Sequence, residues 1–114
     1  MPNIKYVGKN LFIEKLSVAN IAKKNGTPFY IYSENQIKEN YIKFVNTFKK
    51  IKPLVCFAVK SNSNLSILRS LGKLGAGTDV VSIGELLKAL KAGIKPNKIV
   101  FSGVGKTDEE LKIA

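Results

Sequence analysis

The chain has 114 residues, 45% of them hydrophobic, with a net charge of +11, one cysteine and no histidine. That length suffices for one domain with a modest core. No apolar run approaches the roughly 20 residues of a membrane helix, the N-terminus has no apolar signal core, and a single cysteine cannot form an internal disulfide, which suits a reducing, cytoplasmic setting.

The positive charge does not by itself point to nucleic acid. Eighteen of the nineteen basic residues are lysine and Arg69 is the single arginine; the lysines are scattered, with no stripe of interleaved aromatics. Base readers and phosphate clamps favour the planar fork of arginine. Solvated helix faces explain the lysines more simply.

In chain order, the first 26 residues form a lead-in of their own. Ile4 to Tyr6 and Leu11 to Ile13 read as short strands, and Ser17 to Lys24 as a helix closed by Gly26. From Thr27 the pattern is strand, helix, repeated. The strands are Phe29–Tyr32, Leu54–Val59, Thr78–Ser82 and Lys98–Ser102, each a short β-branched or aromatic run without polar alternation, as expected when both sheet faces are covered. Ser33 with Gln36, Ser82 with Glu85 and Thr107 with Glu110 fit capping boxes. Gly75 and Gly93 sit where left-handed C-terminal caps fall. Ile37, Tyr41, Phe44, Val45 and Phe48 mark one helix face, and Leu65, Leu68, Leu71 and Leu74 another; both stripes read as core.

Strand-to-strand spacings a little above twenty residues are the rhythm of βαβ units. Four such units begin either an eightfold barrel or a doubly wound sheet. Thr107 caps a helix with only seven residues left, and a four-stranded half-barrel has two open edges. The chain is therefore expected to be the N-terminal part of a longer protein.

The chemistry centres on Lys60. It ends the run Leu54-Val55-Cys56-Phe57-Ala58-Val59-Lys60, and the Asn-rich turn Ser61-Asn62-Ser63-Asn64 follows. An amine at the end of a buried strand is partly desolvated, so its pKa can fall and it can form an imine with an aldehyde. Alternation places Cys56, Ala58 and Lys60 on one face and Val55, Phe57 and Val59 on the other. In a barrel the bulky set faces the helices, and the small residues leave room for a ligand ring.

Asp79 is the second candidate. An acid within a buried strand needs a partner, and Lys60 on the neighbouring strand is one; the plainer reading is a strand-start residue. Glu85 reaches toward the same place, but its capping role already explains it. Cys56 reads as a small core residue, since no histidine exists to activate it. One cysteine and no histidine give no metal-ligand cluster. Gly75 and Gly77 resemble a phosphate loop only weakly, and Ser102-Gly103-Val104-Gly105-Lys106-Thr107 lacks the required earlier glycine, so it reads as a strand-to-helix turn.

The stretch Cys56 to Asn64 resembles the pyridoxal-phosphate lysine motif of the fold type III, alanine-racemase-like barrel decarboxylases. Thr27 to Tyr32, Gly75 to Leu86 and Ile99 to Leu111 match the same family in the same order, the last in a form typical of its diaminopimelate decarboxylase branch. The resemblance implies an α/β fold: the first four βα units of a (β/α)8 TIM-type barrel over residues 27–114. Residues 1–26 would be a lead-in packing with a C-terminal β-domain outside this chain.

It further implies pyridoxal 5'-phosphate bound covalently by Lys60, Asp79 as the strand-three acid beside that lysine, and a homodimer. The implied reaction is decarboxylation of meso-2,6-diaminopimelate to L-lysine, the last step of lysine biosynthesis. Ornithine, arginine or carboxynorspermidine decarboxylases, or a non-catalytic module binding a protein partner, are the alternatives. The family's cofactor-stacking histidine, glycine-rich phosphate loop and pyridine-pairing acid lie beyond the fourth unit, so this chain alone is expected to be inactive.

Overall fold

In the computed structural model, residues 3–114 are described, and the chain divides into two compact units, 1–40 and 41–114. The boundary falls inside one helix, after Asn40.

The first unit opens with an antiparallel sheet of β1 (Ile4–Val7), β2 (Asn10–Ile13) and β3 (Leu16–Ser17), in that order. Two of these strands match the expected ones within a residue or so; β3 is additional. Tight turns make the meander possible: Gly8 has φ +60°, and Glu14 takes φ +54°. Ile13 is buried. Helix α1 (Val18–Asn25) follows at once and stops at Gly26, whose φ of +79° ends it as expected.

The expected strand Phe29–Tyr32 does not form. The segment follows a cis Thr27–Pro28 bond, joins no ladder among the described residues, and leaves Tyr30 92% exposed. Its β-branched and aromatic residues give it strand propensity, but a strand exists only when another backbone pairs with it.

Helix α2 (Glu34–Thr47) begins on the predicted Ser33, whose Oγ accepts from the Gln36 N–H at 3.0 Å. The box is not completed by Gln36, which donates to Asn40 instead. Glu14 reinforces the cap: its Oε1 accepts from Ser33 Oγ at 2.8 Å and from the Asn35 N–H at 3.0 Å. The α2 stripe expected in a core is not buried: no residue of α2 is, and Phe44 is half-exposed.

The second unit holds a parallel sheet of β4 (Cys56–Ala58), β5 (Gly77–Val80) and β6 (Ile99–Phe101), neighbours in chain order. Helix α3 (Leu65–Lys73) crosses from β4 to β5, and α4 (Ile83–Lys91) from β5 to β6; α5 (Asp108–Ile113) follows β6. The stop signals are where the sequence puts them, with Gly75 at φ +96° and Gly93 at φ +90°. Thr107 and Glu110 form a complete capping box. Ser82 caps α4 through the Glu85 N–H, while the Glu85 carboxylate accepts from Val81 instead of closing the box.

One sheet face carries the core. Val59, Leu68, Val80, Leu86, Ala89, Ala92 and Ile94 are buried together, with Phe57, Leu65, Ile83, Ile99 and Phe101 packed against them. Phe57 and Val59 thus turn toward the helices, as alternation predicted. Cys56 and Ala58 pair with Gly77 and Asp79, and Asp79 with Val100, which defines the opposite face. Gly77 has to be glycine: a Cβ there would lie 2.3 Å from the Lys98 carbonyl oxygen and 2.8 Å from Cys56 Sγ.

Candidate functional site

The site lies where β4 gives way to a turn. The strand ends at Ala58, earlier than the sequence suggests, and Val59–Ser61 form a single 3₁₀ turn. Lys60 is the middle residue of that turn rather than a strand residue, so strict alternation stops before it. The turn is built by short polar side chains. Ser61 Oγ donates to the Ala58 carbonyl at 2.7 Å, and Asn62 Oδ1 accepts from the Asn64 N–H at 3.1 Å. Asn64 then caps α3, accepting from the Ser66 N–H at 2.9 Å. Asn and Ser favour this geometry because their side chains substitute for backbone partners. Lys88 of α4 donates to Ser63 Oγ at 2.8 Å, tying the loop to the next helix.

The amine of Lys60 is exposed, and it makes no hydrogen bond or ion pair with any described residue. The desolvation anticipated from the sequence is therefore not supplied by these residues.

Asp79 is the third residue of β5, in register with Ala58 on one side and Val100 on the other. It is half-buried, and its Oδ1 accepts a hydrogen bond from Ser102 Oγ at 2.5 Å. The partner here is Ser102, and no ion pair joins Asp79 to Lys60 among the described residues. In the sequence Ser102 reads only as a strand end. The available signal was register: Ser102 follows Phe101, which pairs with Val80, and so falls on the Asp79 side of the sheet.

Cys56 shares the Asp79 face. Burial pushes its thiol pKa up, and the nearby Asp79 charge adds to the rise. Both effects disfavour the thiolate, the nucleophilic form. Glu85 is committed to Val81. Lys106, in the turn after β6, donates to the Gly103 carbonyl at 2.6 Å and lies 5.4 Å from the Phe101 ring centre, so it covers the core face.

These elements leave an uncommitted primary amine after one strand and a carboxylate on the next. Ala58 and Gly77, the small residues on the face that bears Asp79, add little bulk there. A family model described as pyridoxal-dependent decarboxylase, pyridoxal binding domain, matches residues 14–114. The chain belongs to this family. Its cofactor is accordingly pyridoxal 5'-phosphate, and the donor set fits the aldehyde end of that molecule, which a free amine binds.

The chain is similar to the diaminopimelate decarboxylase of Pseudomonas fluorescens, at 48% identity over 114 residues, covering 100% of this chain and 27% of that protein. It is similar to that of Helicobacter pylori strain J99 at 57% identity over 88 residues, covering 77% of this chain and 22% of that protein. Among solved structures, diaminopimelate decarboxylase from M. jannaschii in co-complex with L-lysine matches with a TM-score of 0.93 at 40% identity, covering 97% of this chain and 27% of that one. The chain thus spans about a quarter of the length of the relatives it matches. The α/β fold and the resemblance to the diaminopimelate branch are both as anticipated.

Proposed function

We propose that this chain is the cofactor-lysine portion of a diaminopimelate decarboxylase. In this reading residues 27–114 are the first four βα units of a (β/α)8 barrel, and residues 1–26 are a lead-in. The full-length protein is a cytoplasmic homodimer. The observation that carries the reading is an uncommitted Lys60 in the turn just past β4, with Asp79 on the neighbouring strand β5, toward the C-terminal ends of parallel strands, where barrel active sites lie.

The reaction removes one carboxyl group of meso-2,6-diaminopimelate as carbon dioxide; a proton takes its place and L-lysine results. Pyridoxal phosphate, when bound, supplies the electron sink for the pair left at that carbon. Lys60 holds the cofactor through its amine and, once released by the substrate amine, is free to carry a proton at Nζ. Asp79 presents a carboxylate on the open face of the sheet, with one oxygen held by Ser102. Ala58 and Gly77 keep the space beside Asp79 clear of bulk.

The test uses the full-length protein that carries this segment. It should consume meso-diaminopimelate, and not ornithine, arginine or lysine, in a carbon dioxide release assay. Lys60→Ala should lose the visible absorbance of bound cofactor, with activity falling at least about 1,000-fold, the scale of losing a covalent catalytic group. Retained absorbance in Lys60→Ala would refute the assignment of Lys60, and consumption of another amino acid alone would refute the substrate.

A further inference from the structure

The two oxygens of Asp79 have different surroundings. Oδ1 accepts from Ser102 Oγ at 2.5 Å, whereas Oδ2 takes no hydrogen bond from a described residue. The donor is held by backbone. The Ser102 N–H donates to the Val80 carbonyl at 2.9 Å, extending the β5–β6 ladder by one residue. Gly103 then leaves the strand at φ +95°, close against Val81. Ser102 is therefore the last ladder residue before the turn, and its hydroxyl comes from a fixed place.

The terminal torsion of an aspartate is broad, so an untethered carboxylate turns freely. A hydrogen bond to an ionised oxygen is among the stronger ones a side chain makes. We propose that Ser102 is a positioning residue for the cofactor site: it ties Oδ1 of Asp79 and so leaves Oδ2 directed to the cofactor on the open face of the sheet. The proposal rests on the reading of Lys60 and Asp79 given above. The upward shift of the Cys56 thiol, caused first by burial and then by Asp79, agrees with a carboxylate charge acting on this face.

The experiment is a double-mutant cycle on the full-length protein, read as the dissociation constant for pyridoxal 5'-phosphate in equilibrium dialysis. Thermal melts establish that each variant is folded. Ser102→Ala should weaken cofactor binding about tenfold, and Ser102→Thr, which keeps the hydroxyl, should stay within about twofold. In the Asp79→Asn background, Ser102→Ala should add less than about twofold, because the group it positions is already altered. If Ser102→Ala does not fold, Ser102→Cys, similar in size and a poor donor, takes its place in the cycle with the same expectation.

Weakened binding in Asp79→Asn with none in Ser102→Ala would overturn the role of Ser102 and leave the role of Asp79 standing. Equal losses from Ser102→Ala in both backgrounds would do the same. Undiminished binding in Asp79→Asn would overturn both roles together.

Discussion

Glu14 shows how one side chain fixes an element start. It sits at φ +54°, in the left-handed region that costs an ordinary residue, yet its carboxylate caps α2 through Ser33 and the Asn35 N–H. Those two bonds, the Asn35 one foremost, hold its pKa below the ordinary value of 4.5. A carboxylate with a depressed folded pKa stabilises the fold above its unfolded value, and the contribution is lost as pH falls through the folded one. Glu14→Gln should therefore lower the melting temperature at pH 7 and make a smaller difference near pH 2. Thermal melts of both proteins at the two pH values check this; an equal difference at both would mean that charge is not involved.

Lys60 and Ser102 mark the limits of reading single residues from sequence. The position of Lys60 after an apolar run was legible, because the run itself declares a buried strand. Its 3₁₀ setting was not, since the choice depends on Ser61 and Asn62 side chains finding backbone partners. The Ser102 bond to Asp79 joins residues on different strands, and only register brings them together.

At the scale of elements, helices were read well because their ends are written locally. Gly26, Gly75, Gly93 and Thr107 act through their own backbone or cap geometry, with no need of distant contacts. Strand Phe29–Tyr32 and the apolar stripe of α2 were read as paired and buried, and neither is. A periodic pattern reports that a face suits burial; it does not supply the surface that buries it.

The β5 strand carries two sharply different side-chain constraints. A Cβ at Gly77 would meet backbone of Lys98, which cannot move without breaking the β5–β6 pairing. Gly77→Ala should destabilise by about 3 kcal/mol, the upper end of overpacking costs. Thr78 is 1% exposed, and its hydroxyl finds no partner among the described residues. Thr78→Val, nearly equal in shape, should be neutral or stabilising by about 1 kcal/mol, since it removes an unsatisfied buried polar group. Urea denaturation midpoints of the two variants against the parent decide both; a large loss for Thr78→Val would mean that the hydroxyl is in fact bonded.

At the scale of the whole molecule, the parallel β4–β5–β6 sheet follows chain order and buries one face beneath α3 and α4. The other face bears Ala58, Gly77, Asp79 and the half-exposed Val100. That division follows from alternation along each strand, and it is why one face is core while the other is left open. No helix among the described residues is long and apolar enough to cross a membrane. The family match extends over both compact units, from residue 14 to residue 114.

The central claim is that Lys60, among eighteen lysines, is the residue that binds the cofactor. Lys60 is the lysine in the turn directly after β4, the strand that pairs with the Asp79 strand. The direct test is to load the full-length protein with pyridoxal 5'-phosphate, reduce it with borohydride, digest it and map the modified peptide by mass spectrometry. A single pyridoxyl group on Lys60 is the predicted result. Modification of a different lysine, with Lys60 recovered unmodified, would contradict the account.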